Sequence, residues 1–121
     1  MEGSGLSRSV LPASANYAQA KKGRTVMAYI HFAKSKGQSI ESFRMVSARH
    51  NPPQEIDGLL AWAAGTDENG LNVVTVWQSK AHQERFAAEQ LFPAFHEFGM
   101  AEKIMANSEF TEYETGELYV P

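Results

Sequence analysis

Two stretches of this chain place apolar side chains on both faces of an extended strand. Over residues 26–32, Val26, Ala28, Ile30 and Phe32 point one way, and Met27 and Tyr29 the other. Over residues 71–77, Leu71, Val73 and Trp77 oppose Val74 and Val76. A sheet with one face in water alternates apolar and polar residues. A sheet built from these strands therefore needs cover on both sides, and few architectures supply it.

The remaining pattern says what one cover is made of. Gly37-Gln38-Ser39 ends the first strand, and Ser39 is placed to cap a helix starting at Ile40. Ile40, Phe43, Val46 or Ser47, and His50 recur at helical spacing and form one stripe. Asn51-Pro52-Pro53 stops that helix, because proline disfavours helical geometry in the residue before it. Residues 58–64 and 71–77 read as two strands of an antiparallel hairpin, joined by a five- or six-residue turn over 65–70. Ser79 caps a second helix, in which His82 and Phe86 share a side. Pro93 opens a short helical turn that stops at Gly99. A fourth strand spans about 109–115, and Leu118-Tyr119-Val120 adds a short edge segment.

The order β-α-β-β-α-β predicts an α+β fold of the ferredoxin-like kind, a four-stranded antiparallel sheet with two helices on one face. The helices cover one face only. The economical cover for the other is the sheet of a second copy, so the parity of the strands predicts a homodimer. The alternative is that the tail or the N-terminal extension folds over it.

At 121 residues the chain fits one domain, and it is long enough to bury a core without disulfides. The absence of cysteine excludes a thiolate nucleophile, a Cys-ligated zinc and an iron–sulfur cluster, and fits a cytoplasmic location. A net charge of −3 with no basic tract argues against nucleic acid or an anionic membrane as partner. No apolar run approaches the roughly 18–20 residues of a membrane span. The basic residues Arg8, Lys21, Lys22 and Arg24 gather at the start against Glu2 alone, amid Gly, Ser and Pro. Residues 1–25 are thus expected to be a flexible extension, and 26–121 the domain. Lys21-Lys22-Gly23-Arg24 just before Met27 resembles a translated ribosome-binding site, which makes Met27 an alternative start.

Four histidines carry what chemistry the sequence offers. His31 lies on the first strand, and His96 lies among aromatics in Phe92-Pro93-Ala94-Phe95-His96-Glu97-Phe98. Imidazole titrates near neutral pH, so either can serve as a pocket base. The bland reading makes His31 a core residue and His96 a helix-end residue complementing the dipole. His50 reads as a helix-end residue and His82 as a surface one. The acids Glu109, Glu112, Glu114 and Glu117 read as a solvated edge that blunts aggregation. Metal-ligand spacing, nucleophile elbow, phosphate loop, and flavin and nicotinamide fingerprints are all missing.

The strand pair Gly58-Leu59-Leu60-Ala61-Trp62 and Val73-Val74-Thr75-Val76-Trp77, then Ser79, Phe86 and Leu91-Phe92-Pro93-Ala94, resembles the dimeric α+β barrel superfamily, close to its antibiotic-biosynthesis-monooxygenase branch. The resemblance covers about residues 27–119. It implies sheet-to-sheet dimers and a small-molecule pocket between sheet and helices. Cofactor-free quinone-forming oxygenases of the superfamily use an Asn–Trp–Tyr set, whereas Asn72 and Trp77 here lie on opposite faces of a regular strand. The haem-degrading branch has a His after helix two, as His96 is, but its helix-two Trp is Phe86 here. The plant polyketide-cyclase branch has a strand-one His and one near the end of helix two, as His31 and His96 are.

The expectation is an enzyme of the monooxygenase type, without cofactor or metal, acting on a small apolar, aromatic or polyketide-like molecule. His96, partnered by His31, would abstract a proton, and the resulting carbanion would react with dioxygen. Tyr29, Trp62, Trp77, Phe86 and Phe92 would shape the pocket. Two alternatives stand beside it: a cyclase using the same histidines without oxygen, and a non-catalytic binding or stress-response barrel.

Overall fold

The structure is a computed structural model that describes residues 28–118. The expectations for the extension over 1–25, for Met27 as start and for an edge segment at Tyr119–Val120 lie outside the described residues.

Four strands form one antiparallel sheet: β1 (Ala28–Lys36), β2 (Leu59–Asp67), β3 (Gly70–Trp77) and β4 (Ser108–Thr115). Their spatial order is β2-β3-β1-β4, so β1 pairs with both β3 and β4. Helix α1 (Ile40–Ser47) connects β1 to β2. A helical run joins β3 to β4: α2 (Lys80–Phe86), a π-helical turn at Ala87–Leu91, α3 (Phe92–Glu97) and α4 (Ala101–Ala106). The fold is α+β and compatible with the ferredoxin-like arrangement.

Local chemistry accounts for most boundaries. Ser39 and Ser42 cap α1 reciprocally: Ser42 N–H donates to Ser39 Oγ at 3.1 Å, and Ser39 N–H to Ser42 Oγ at 2.9 Å. Ser79 Oγ accepts from His82 N–H at 3.3 Å and opens α2. Pro93 sits in the first turn of α3, where its missing N–H is tolerated. Just before it, Phe92 N–H bonds to the Ala87 carbonyl five residues back, which widens the helix locally.

Three expectations need correction. The β2–β3 connection is tighter than a six-residue turn, because β2 runs to Asp67 and β3 resumes at Gly70. Asp67 closes it: its Oδ1 accepts from Asn69 N–H at 2.8 Å and Gly70 N–H at 3.2 Å, and its Oδ2 from Asn72 Nδ2 at 3.0 Å. Those donors hold the Asp67 carboxyl below the usual carboxylate range, the Asn69 N–H foremost. Helix α4 was not expected at all. Its N-cap is Met100, which makes no side-chain cap, so the sequence carries no start signal there. His82 is not a surface residue: its side chain is 20% exposed, and its Nδ1 lies 2.7 Å from Ser79 Oγ.

The closed core is Tyr29, Ile56, Leu59, Trp77 and Phe86, with Trp62 and Leu91 packed against it. It holds the base of β3 to α2. Trp77 is only 1% exposed and stacks at a tilt on Phe86, with ring centroids 5.4 Å apart.

Candidate functional site: a cavity between sheet and helices

Beyond this core the helices stand off the sheet and leave a cavity of about 430 Å³. Its floor comes from alternate residues of the strands: His31 and Ala33 on β1, Val73 and Thr75 on β3, Phe110 and Glu112 on β4. Period-two alternation puts all of these on one face. β2 would break that pattern without a bulge between Leu59 and Ala61. Leu59 pairs with Trp77 and Trp62 with Thr75. The extra residue lets both Leu59 and Trp62 face the helices, which regular alternation forbids.

The roof is the apolar stripe of α1 together with the run after β3. Phe43, Val46 and His50 line the cavity from one side, and Phe86, Leu91 and Phe95 from the other. Aromatic edges meet along this wall: Phe43 with Trp62 at 5.5 Å, and His50 with Phe86 at 5.0 Å. The π-helical turn supplies Ala87 and Leu91, and α4 supplies Ile104 and Met105. Phe92, Met105 and Phe110 line the cavity yet remain 39%, 48% and 45% exposed, so they border its opening.

Of the residues expected at the site, His31, Trp62, Trp77, Phe86 and Phe92 line the cavity. Tyr29 belongs to the closed core instead. His96 is exposed and is not among the lining residues, so one chain does not bring it together with His31. The reason is helical phase. Ala94 is buried and Phe95 turns to the cavity, which leaves the next residue on the outer side of α3. Asn72 and Trp77 lie on opposite faces, as their spacing requires, and Asn72 is engaged by Asp67.

Two residues at the cavity escaped the sequence reading as site members. His50 lines it, and its Nδ1 lies 2.8 Å from the Asn51 carbonyl. Facing a carbonyl, Nδ1 is the donor in that contact. The i, i+3, i+4 stripe of α1 carried this signal. Glu112 also lines the cavity, directly across the strand pair from His31. Its signal was the alternation Phe110, Glu112 opposite His31, legible only once the register of β4 on β1 is known.

Charge concentrates around these residues. Burial pushes the His31 imidazole below its ordinary value, and the Glu112 carboxylate opposes that. Lys80 Nζ sits 3.0 Å from Glu112 and 3.9 Å from Glu84. The Lys80 ammonium holds the Glu112 carboxyl below its usual range, with a further contribution from Tyr29. Glu112 in turn raises Lys80. Burial, then the neighbouring Glu112, pushes the Tyr29 phenol up to about 12. The Tyr29 hydroxyl and Trp77 Nε1 are buried and make no well-formed hydrogen bond among the described residues. Ser47 Oγ, on the cavity wall, is in the same position. Neutral at neutral pH, His31 can accept a proton from a bound molecule.

Among the described residues no group of three or more acidic or histidine side chains could hold a metal ion. No helix among them is long and apolar enough to cross a membrane. No protein-family model matches the sequence, and no curated protein matches it.

Proposed function

We propose that the protein binds a small, largely apolar aromatic molecule in the cavity between sheet and helices, with His31 as its polar contact. The observation that carries this reading is a 430 Å³ space walled by Trp62, Trp77, Phe43, Phe86 and Phe95, with one neutral imidazole on its floor. Pockets of a few hundred cubic ångströms, mostly apolar with few polar groups, are the usual form of small-molecule sites. The test is a titration with 4-nitrophenol, read by quenching of Trp62 and Trp77 fluorescence. Ala33 and Val73 are cross-strand neighbours at the middle of the floor. The variant Ala33→Trp fills that space and abolishes the quenching. Equal quenching of wild type and Ala33→Trp sinks the reading.

A catalytic form of the same reading is supported by the state of His31. An imidazole kept neutral by burial is a ready base. It takes a proton from an acidic phenol or carbon, and the electron-rich anion left behind reacts with dioxygen without flavin or metal. That is monooxygenase chemistry of the antibiotic-biosynthesis type. The same abstraction without oxygen serves a cyclase. His96 has no part in this version, since it lies outside the cavity of a single chain. Oxygen uptake with a panel of hydroquinones and phenols separates the versions. His31→Ala lowers any turnover by about 10²–10⁴-fold, the usual range for a positioned base. Binding without turnover across the panel leaves the non-catalytic barrel.

The assembly proposed with this site is a sheet-to-sheet homodimer. Its support is the outer face of the sheet, where Ile30 and Phe32 lie beside Val74 and Val76 in register.

A further inference from the structure

We propose that Glu112, held by Lys80, is the positioning residue for His31: its carboxylate faces the imidazole and stabilises the imidazolium that forms when His31 takes a proton. The inference rests on the reading of His31 as the polar contact and base of the cavity, and it deepens that reading.

Three observations carry it. First, His31 and Glu112 are direct partners across the antiparallel β1–β4 pair, and both side chains line the cavity. Directly opposed side chains on one face have their Cβ atoms about 4.5–5.5 Å apart, and the Glu112 charge acts on the imidazole through space. Second, Glu112, although exposed, has a fixed partner. Lys80, in the first turn of α2, binds it at 3.0 Å across the gap between helix and sheet. Third, the surroundings restrict what else can act on the imidazole. Phe110 packs on it from β4 with ring centroids 5.4 Å apart, and Tyr29 from β1 at 6.4 Å. On β3 the nearest polar group is Thr75, whose hydroxyl bonds the His31 carbonyl at 3.3 Å rather than the ring. Glu84 on α2 and His50 after α1 complete the titratable groups lining the cavity.

The proton balance is simple. The O–H or C–H bond of the bound molecule breaks, its proton goes to the free nitrogen of His31, and the electron pair stays on the molecule. The new imidazolium then faces the Glu112 carboxylate in a partly apolar site, where an opposite charge favours the charged form. Lys80 acts in the other sense. Its ammonium engages the same carboxylate and so limits how far Glu112 offsets the burial that lowers His31.

The pair predicts opposite effects for its two members. In the full chain, with histidines isotope-labelled, the His31 ring resonance is followed by NMR against pH. Glu112→Gln moves the His31 titration to lower pH, and Lys80→Met moves it to higher pH. Glu112→Asp, which keeps the charge, restores part of the Glu112→Gln shift. Both side chains are substantially exposed, at 42% and 55%, so the variants fold and circular dichroism checks it. An unchanged His31 titration in Glu112→Gln, or shifts of the same sign in Glu112→Gln and Lys80→Met, overturns the proposal. Because this readout needs no ligand, its failure is distinguishable from a failure of the 4-nitrophenol titration, which tests the cavity reading alone.

Discussion

Gly58 joins the loop after α1 to the cavity wall, and replacing it tests how the wall is set. It sits just before β2 at φ +81°, in the left-handed region, and its carbonyl accepts the Gln78 N–H at 2.7 Å. A methyl group there would lie deep inside van der Waals contact of the His82 ring. In Gly58→Ala two costs combine. The left-handed backbone costs an L-residue about 1–2 kcal/mol. The His82 ring must also move, which breaks its contact with Ser79 Oγ and weakens the cap of α2, a loss of about 1 kcal/mol. The total is about 2–3 kcal/mol, or roughly 8–24 °C in Tm at about 4–8 °C per kcal/mol for a domain of this size. Two further variants separate the terms. Gly37 has φ +80° but nothing within 4 Å of a new methyl, so Gly37→Ala loses only the backbone term, about 1–2 kcal/mol. Gly65 has neither a positive φ nor a neighbour within 4 Å, and it lies inside β2, so Gly65→Ala is neutral or stabilising by up to about 1 kcal/mol. Urea and thermal unfolding of the three variants provide the ranking. If Gly58→Ala is no worse than Gly37→Ala, His82 is not clamped as described and the reasoning fails.

Phe86→Ala removes the ring between Trp77 and His50 and costs about 3 kcal/mol, the lower end for a buried phenylalanine because one side already meets the cavity; urea unfolding measures it, and a loss under about 1 kcal/mol refutes the packing. His31 titrates below its unfolded value of about 6.5, so between those two values the unfolded chain binds more protons. Its contribution is therefore complete above about pH 6.5 and is lost as pH falls through the folded value. Wild type loses more stability than His31→Gln between about pH 7.5 and pH 5, and parallel curves for the two contradict the burial of His31. Val74, on the outer face of the sheet opposite Phe32, is central to the proposed dimer. Wild type scatters light as a dimer at micromolar concentration and Val74→Asp as a monomer, whereas a monomeric wild type removes that proposal.

The element order, the two serine caps and the apolar stripe of α1 were legible in the sequence because each rests on residues within a few positions of one another. Strand alternation works the same way and sorts His31 and Trp77 onto one face of their own strands, whereas the pocket itself was an expectation drawn from the resemblance. Local information ran out at three places. The bulge between Leu59 and Ala61 has no sequence mark, yet it decides that Trp62 faces the cavity. Helix α4 begins without a side-chain cap, so no start signal marks it although Ala, Glu, Lys and Met are good helix formers, and Ile104 is its one buried residue. His96 was assigned to the pocket from its position after the second helix, but the phase of α3, following a π-helical turn, gives the cavity to Phe95.

The sequence by itself determined the periods: which residues are extended, which are helical, and which share a face within one element. Only the tertiary structure decided how those faces meet. Glu112 is the exposed edge-strand acid the sequence suggested, but only the register of β4 on β1 put it opposite His31, and only the approach of α2 brought Lys80 within 3.0 Å of it. The physical reason is range. Periodicity and capping are governed by neighbours along the chain, whereas register, bulges and helix phase are settled by packing between segments tens of residues apart.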